Sequence, residues 1–233
     1  MYTFEKIENI QKPNQMGFLR LYFVLLLLLA TSGKVISQEI PFQIEVKSLT
    51  KRIDQAGWKP NSFVFTGSSS VRFWKNLQEE FPAIPIINTG FGGSQASDLL
   101  IHLDELVIRY SPEKIFIYEG DNDLNAGKEV SQIMKDIDLL VTRILQKLPE
   151  TNIVLISTKP SPSRWQLETS YTVLNDLMRQ YATTHDQVNF MNVWDMMLDK
   201  SGRPMTEIFI SDSLHMNAKG YAIWNKSVIP FMK

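Results

Sequence analysis

Five short apolar runs, rich in β-branched and aromatic residues, limit the folds that this chain can adopt. They are SFVFTG at 62–67, IPIIN at 84–88, KIFIYEG at 114–120, NIVLIS at 152–157 and VNFMNV at 188–193. Each run is almost continuously apolar, which is typical of strands that are buried on both faces. The runs therefore predict five strands at the centre of the fold.

Helical patterns separate these runs. Residues 128–148 place apolar side chains on one face at helical spacing, and residues 97–110 and 168–182 behave similarly. Asn217 is the predicted cap of a last helix that ends near residue 231. Because strands that alternate with helices form right-handed crossovers, the pattern predicts an α/β fold with a parallel sheet covered on both sides.

The N-terminal 37 residues differ from the rest of the chain. LYFVLLLLLA at 21–30 is an apolar run of ten residues that follows Arg20. A membrane-spanning helix needs about 20 apolar residues. A basic residue, a short apolar core, and small residues at Val35 and Ser37 instead predict a secretory signal peptide over residues 1–37. An uncleaved N-terminal anchor is the alternative.

A signal peptide predicts an exported protein, periplasmic or extracellular, with no stable membrane span after cleavage. Residues 38–233 then form a single domain, and Met16 is an alternative start that would make residues 1–15 an extension. Removal of residues 1–37, which carry four Lys/Arg and two Asp/Glu, changes the formal net charge from −1 to −3. Nucleic-acid binding normally needs a basic patch, so we expect no nucleic-acid partner.

Polar and glycine-rich stretches follow four of the five predicted strands. They are GSSS at 67–70, TGFGGS at 89–94, EGDND at 119–123 and SDSLHMN at 211–217. In parallel α/β sheets, ligands bind beyond the carboxyl ends of the strands. This shared position predicts a functional site at one edge of the sheet.

His215 stands out among the three histidines as a candidate base. Asp212 precedes it by three residues in a predicted loop, so the carboxylate can fold back onto one ring nitrogen and leave the other to accept a proton. His102 lies on the predicted 97–110 helix, where a surface or packing role is the simpler interpretation. His185 follows a helix end, where a cationic side chain is favourable.

Two residues are candidate donors to a developing negative charge. Gly93 could aim its backbone N–H into the crevice, and Asn122 could donate from its side-chain amide. Each has a simpler alternative, since glycine suits a tight turn and asparagine is a common turn residue. Asp121 and Asp123 beside Asn122 are interpreted as ordering that turn. They do not predict a metal site, because supporting histidine ligands are missing nearby in the sequence.

The order Gly-x-Ser, Gly, Gly-x-Asn-Asp, Asp-x-x-His resembles the SGNH (GDSL-type) hydrolases. The matching stretches are 67–70, NTGFGG ending at Gly93, 120–123 and 212–215, and the resemblance spans about residues 61–231. It implies a three-layer α/β/α flavodoxin-like fold and the hydrolysis of acyl esters without a cofactor or metal. YEGDNDLNAGK and KPSPSRW are similar to a bacterial subgroup often described as lysophospholipase-like esterases.

The resemblance also implies roles for individual residues. By position, Ser69 is the nucleophile, His215 is the base and Asp212 orients it. The oxyanion hole consists of the backbone N–H groups of Ser69 and Gly93 and the side chain of Asn122.

This chain departs from the family pattern on both sides of the nucleophile. The family usually has Asp before it and an aliphatic residue after it, whereas here Ser68 and Ser70 occupy these positions. The first change removes a carboxylate next to the nucleophile and leaves the nucleophile in place.

The rim of the substrate site is predicted from four side chains, which are Trp74, Lys159, Arg164 and Trp165. Aromatic packing and solvated charge are the alternative interpretation of these residues. The expected substrate is a small-molecule ester, a lipid or an acylated sugar.

The leading interpretation is a serine hydrolase that acts as a carboxylesterase or lysophospholipase-like enzyme. The alternatives are a carbohydrate O-acetyl esterase and a non-catalytic binding module with the same fold. A nucleotide or phosphate binder is disfavoured, because TGFGGS matches the spacing of a phosphate loop poorly.

Overall fold

A five-stranded parallel sheet forms the centre of the computed structural model, which describes residues 39–233. The strands are β1 (Phe63–Gly67), β2 (Ile86–Asn88), β3 (Lys114–Tyr118), β4 (Asn152–Ile156) and β5 (Val188–Met191). All five predicted strands are confirmed, each one or two residues shorter than predicted. The predicted signal peptide and its alternative, an anchor, lie outside the described residues. Within residues 39–233, no helix is both long enough and apolar enough to cross a bilayer.

The order of the strands across the sheet is β2-β1-β3-β4-β5. This is the flavodoxin-like order, in which the chain reverses its direction of travel across the sheet between β1 and β3. β1 and β3 pair in register, from Phe63 opposite Lys114 to Gly67 opposite Tyr118. The carboxyl ends of these two strands therefore lie side by side at the switch point, where such sheets bind ligands.

Helices connect the strands. The α-helices are α1 (Gln43–Ala56), α2 (Ser69–Arg72), α3 (Leu77–Glu80), α4 (Ala96–Ile101), α5 (Leu103–Leu106), α6 (Asp121–Asn125), α7 (Val130–Lys147), α8 (Glu168–Thr183) and α9 (Ala218–Val228). The predicted helices at 128–148 and 168–182 correspond to α7 and α8. The last predicted helix corresponds to α9, which continues as a 3₁₀ turn at Ile229–Phe231.

The helix predicted at 97–110 is interrupted. It consists of α4, α5 and a 3₁₀ turn at Ile108–Tyr110, and His102 joins the first two pieces. The His102 ring is buried, and its Nε2 lies 2.6 Å from the carbonyl oxygen of Pro41. This contact with the residues that precede α1 accompanies the break, and His102 is a packing residue.

Two hydrophobic clusters cover the two faces of the sheet. Alternate side chains of a strand point to opposite faces, so Val64 of β1 lies in one cluster and Phe65 in the other. Helices α1, α4, α5, α7 and α8 pack against the first face, and α2, α3 and α9 pack against the second. Residues 40–233 therefore form the predicted three-layer α/β/α sandwich.

Asn217 caps α9 and also ties the preceding loop to it. Its Oδ1 accepts the backbone N–H of Lys219 at 2.9 Å and of Gly220 at 3.4 Å. Its Nδ2 donates to the carbonyl oxygens of Glu207 at 2.8 Å and Phe209 at 3.0 Å. One side chain therefore fixes both the start of the helix and the loop that precedes it.

We expect Asn217→Ala to lower the free energy of unfolding by about 1–2 kcal/mol, because the first turn of α9 loses its cap. Urea denaturation measures this change. Lys219→Ala, an exposed substitution in the same turn, is the matched control and should stay within about 0.5 kcal/mol of the parent. Equal losses in both variants would contradict the capping role.

Candidate active site

Ser69 lies at a tight turn from β1 into α2. Gly67 ends the strand with a φ of +119°, and Ser69 is the first residue of the helix. A Cβ added to Gly67 would lie 2.1 Å from the carbonyl oxygen of Tyr118 in β3. The same oxygen accepts the backbone N–H of Ser68 at 3.1 Å. Only glycine fits this turn, because both its φ and the space beside it exclude a side chain.

A chain of hydrogen bonds joins three of the predicted site residues. Ser69 Oγ lies 2.9 Å from Nε2 of His215, and Nδ1 of His215 lies 2.7 Å from Oδ2 of Asp212. The second oxygen of Asp212 accepts the backbone N–H groups of Leu214 and His215, each at 2.9 Å. This arrangement can fix the ring tautomer from Nδ1 and accept a hydroxyl proton at Nε2.

Asp212 is ionised throughout the neutral range. Burial raises its pKa, but hydrogen bonds from the His215 ring and from the backbone of His215 and Leu214 outweigh this effect and lower the pKa of Asp212 to about 2. Its side chain is 42% exposed, so solvent screens part of the charge. The ring of Phe73 packs edge-on against His215 at a centroid distance of 5.2 Å and restricts the imidazole from a second side.

Gly93 and Asn122, two of the predicted oxyanion donors, belong to the loops after β2 and β3. Gly93 is exposed in the loop after β2, with a φ of +73°. Asn122 lies in the first turn of α6, directly after β3, and its Nδ2 donates to the carbonyl oxygen of Ser94 at 2.9 Å. The loop after β2 is also tied to β1, because Phe91 N–H donates to the Gly67 carbonyl oxygen at 2.9 Å. The structure therefore links both loops to the turn that carries the predicted nucleophile.

Arg164, which the sequence predicts for the substrate rim, contacts Asn122 and Asp121. Its guanidinium donates twice to Oδ1 of Asn122, from Nη1 and Nη2, both at 3.1 Å. It also donates to Oδ1 of Asp121 at 2.5 Å, and its side chain is only 12% exposed. The buried carboxylate of Asp121 draws the guanidinium inward, so its hydrogen bonds serve the protein interior.

The prediction that Trp74 lines the substrate rim is wrong. Its side chain is fully buried, and its indole N–H donates to Oδ1 of Asn225 in α9 at 2.7 Å. The ring packs edge-on against Phe65 and Trp224, at 5.5 Å and 5.2 Å between centroids. Trp74 joins α2 and α9 to the sheet and is a core residue.

Lys159 and Trp165 lie at different depths. Lys159 is buried, and its Nζ donates to Asp121 at 3.1 Å, so it too belongs to the interior. Trp165 is half-buried and stacks on Trp194 at 5.9 Å, with the guanidinium of Arg203 5.4 Å above its ring. Of the two aromatic residues predicted for the rim, Trp165 is the one that is partly exposed.

Sequence reasoning missed Glu119, which directly follows β3. Its side chain is 2% exposed, and Oε1 accepts the Ser94 hydroxyl at 2.7 Å, while no described residue hydrogen-bonds to Oε2. Burial raises the pKa of Glu119 well above its usual range, Asp123 and Asp98 raise it further, and Ser94 and Lys128 oppose the rise. A carboxyl group at the end of an otherwise apolar strand was the available sequence signal. Among residues 39–233, no group of three or more His, Cys, Asp or Glu is arranged to hold a metal ion.

The raised pKa of Glu119 predicts how stability changes with pH. The neutral form is favoured in the folded state, so the stability of the parent is fully present below the ordinary pKa of 4.5 and is lost as pH rises toward the folded pKa. Glu119→Gln does not titrate. We therefore expect the free energy of unfolding of the variant to rise relative to that of the parent as pH increases above about 4.5, by up to about 1.4 kcal/mol per pH unit.

Urea denaturation at a series of pH values measures this difference in the free energy of unfolding. Glu119→Ala should share the flat pH response of Glu119→Gln but be less stable at every pH, because the Ser94 hydroxyl loses its acceptor. Parallel pH curves for the parent and Glu119→Gln would show that Glu119 titrates as an ordinary carboxyl group.

Comparison with known proteins relates this geometry to a family. The sequence model of the GDSL-like lipase/acylhydrolase family matches residues 53–223, more than half of the chain. Among curated proteins, none matches. A Streptococcus pneumonia protein provisionally named a platelet activating factor shares the fold with a TM-score of 0.72 at 24% identity, covering 94% of this chain and 100% of that chain.

Two further structures extend this likeness of fold. For a GDSL-like lipase from Bacteroides thetaiotaomicron the TM-score is 0.66 at 19% identity, with 82% of this chain and 95% of that chain covered. For a carbohydrate esterase family 3 protein from Talaromyces cellulolyticus the TM-score is 0.61 at 14% identity, with 73% of this chain and 96% of that chain covered. The family match over residues 53–223 shows that the chain belongs to the GDSL-like lipase/acylhydrolase family.

Proposed function

We propose that the protein hydrolyses carboxylic esters of small molecules, with Ser69 as the nucleophile. The observation that carries this proposal is the continuous hydrogen-bonded chain from Ser69 Oγ through the His215 ring to Asp212. The chain lies at the carboxyl edge of the parallel sheet, where α/β proteins bind ligands. Membership of an acylhydrolase family supports ester hydrolysis as the general reaction.

In the proposed acylation step, Nε2 of His215 takes the proton of Ser69 as Oγ bonds to the ester carbonyl carbon. The carbonyl electron pair moves onto oxygen, where the N–H groups of Ser69 and Gly93 and the amide of Asn122 donate to it. His215 then gives its proton to the departing alcohol. Because Asp212 is already ionised, it stabilises the protonated ring without taking a proton itself.

The deacylation step repeats this sequence with water. His215 takes a proton from water as the water oxygen attacks the acyl carbon, and the same three donors hold the second oxyanion. Collapse of this intermediate releases the carboxylic acid, and Ser69 recovers its proton from His215. No step needs a co-reactant other than water.

A carbohydrate O-acetyl esterase is the second candidate. The 3₁₀ segment Pro162–Leu167 lies next to the His215 loop, because Ser163 N–H donates to the Ser213 carbonyl oxygen at 3.1 Å. This segment carries Trp165, a half-buried aromatic side chain that supplies apolar surface beside the His215 loop. Structures with the same fold include the carbohydrate esterase described above and an acetyl-xylooligosaccharide esterase from Geobacillus.

A substrate panel separates the candidates. It combines p-nitrophenyl esters of increasing acyl length, an acetylated sugar and a lysophospholipid. Preference for the acetylated sugar, lost in Trp165→Ala, would favour the second candidate. Preference for longer acyl chains would favour a carboxylesterase or lysophospholipase-like enzyme.

We expect a fluorophosphonate probe to label the parent protein at Ser69, because the probe reacts with serines that a neighbouring base activates. Ser69→Ala should not be labelled, whereas the adjacent substitutions Ser68→Ala and Ser70→Ala should retain labelling as matched controls. Mass spectrometry of the labelled peptide identifies the site. Absence of labelling on correctly folded parent protein would point to a non-catalytic binding module.

We expect Asn122→Ala to lower kcat by about 10²–10³-fold, the usual scale for one lost oxyanion donor. Asn125→Ala, at the exposed end of the same short helix, should leave kcat unchanged. Steady-state kinetics on a p-nitrophenyl ester measures both variants. Parent-like turnover in Asn122→Ala would remove Asn122 from the proposed oxyanion hole.

A further inference from the structure

We propose that Arg164 is a positioning residue, which holds the Asn122 amide so that Nδ2, and not Oδ1, faces the oxyanion. The inference rests on the proposed function, because it requires Asn122 to act as a donor in ester hydrolysis. It is an alternative to the substrate contact that the sequence predicts for Arg164.

The orientation of an asparagine amide is not fixed by its shape. The carbonyl oxygen and the amino group are nearly the same size, so only hydrogen bonds distinguish the two orientations. The wrong orientation would present Oδ1 to the developing negative charge and repel it. An oxyanion hole built on asparagine therefore needs partners that recognise each end of the amide.

Both partners of Asn122 select the same orientation. A guanidinium has only donors, so the two hydrogen bonds from Arg164 require Oδ1 on its side. The Ser94 carbonyl oxygen is only an acceptor, so it requires Nδ2 on its side. A flipped amide would lose all three hydrogen bonds and bring like groups together. In the observed orientation, Nδ2 keeps a second N–H for the oxyanion.

Asp121 in turn fixes Arg164. Its buried carboxylate and its backbone carbonyl oxygen both accept hydrogen bonds from Nη1 of Arg164. The carboxylate also accepts from Nζ of Lys159 and from two hydroxyl groups, that of Tyr118 at 2.8 Å and that of Tyr171. Although burial favours protonation, Lys159 and Arg164 hold the pKa of Asp121 below its usual range. The carboxylate is therefore a permanent anchor for the guanidinium.

The cluster also carries excess positive charge. Two cations, Lys159 and Arg164, surround one carboxylate, and Arg164 lies directly behind the proposed donor. A hydrogen bond from a charged guanidinium to Oδ1 polarises the amide and strengthens its N–H as a donor. Orientation and polarisation both act through Asn122, so the effect of Arg164 should disappear when that amide is removed.

Three roles for Arg164 predict different kinetics. A substrate contact would raise KM, whereas a purely structural role would lower stability in every background. A positioning role lowers kcat, leaves KM nearly unchanged, and shows no further effect once Asn122 is gone. A double-mutant cycle distinguishes the three.

The experiment compares the parent, Asn122→Ala, Arg164→Met and the double variant on one p-nitrophenyl ester. We expect Arg164→Met to lower kcat about 10–100-fold, with KM within about twofold, as for a misplaced transition-state donor. In the Asn122→Ala background, the same substitution should change kcat by less than about threefold. Arg143→Met, an exposed arginine on α7, is the matched control and should be silent.

Arg164→Lys guards against loss of folding, because it keeps a positive charge beside Asp121. A lysine presents a single ammonium in place of the guanidinium fork, so we expect kcat between those of the parent and Arg164→Met, with Tm close to the parent. The proposal would be overturned if Arg164→Met lowered kcat by the same factor in the parent and in Asn122→Ala, or if it raised KM at constant kcat. Labelling of Ser69 is the separate test of the proposed function: if it succeeds while the cycle shows independent effects, only the role of Arg164 fails.

Discussion

The close approach of β1 and β3 at their carboxyl ends is the constraint on which the candidate site depends. Gly67 lies against the backbone of Tyr118, and the Tyr118 carbonyl oxygen accepts the N–H of Ser68. This contact starts α2 at Ser69. It also sets where the chain leaves β3, and Asn122 follows four residues later. The proposed nucleophile and oxyanion donor therefore share one backbone contact, which a single added methyl group at Gly67 would disrupt.

Two carboxyl groups that follow β3, those of Glu119 and Asp121, are buried to a similar extent, but their pKa values shift in opposite directions. Glu119 has a hydroxyl as its only described partner and two acidic residues nearby, so burial raises its pKa well above the usual range. Asp121 is also buried, yet Lys159 and Arg164 keep its pKa low. Glu119 accepts the Ser94 hydroxyl, and the Asp121 carboxylate holds the Arg164 guanidinium behind Asn122. The two groups thus fix the loops after β2 and β3 by different physical means.

The sequence predicted the features that repeat or that follow a strand. Continuous apolar runs predicted all five strands, and the shared edge of a parallel sheet explains why Ser69 and His215, far apart in the chain, are in contact. The sequence could not predict which side chains come into contact through tertiary packing. A tryptophan such as Trp74 looks the same in sequence whether buried or exposed, and Arg164 looks like a loop cation until Asp121, 43 residues away, is placed beside it. Helix α1 was not predicted. The predicted helix at 97–110 is interrupted at His102, whose ring contacts Pro41, just before the start of α1.

The serine at position 68 fits this electrostatic arrangement. Ser68 is buried, and its backbone, not its side chain, makes the contact with Tyr118 that fixes the turn. Loss of the usual family carboxylate therefore leaves the path of the chain into Ser69 intact. A neutral hydroxyl is also much less costly to bury than an unpaired carboxylate. It adds no negative charge next to the proposed oxyanion hole, so the excess positive charge of Lys159 and Arg164 is not offset there. The departure from the family pattern thus alters the electrostatic field around the proposed nucleophile, Ser69, more than its position.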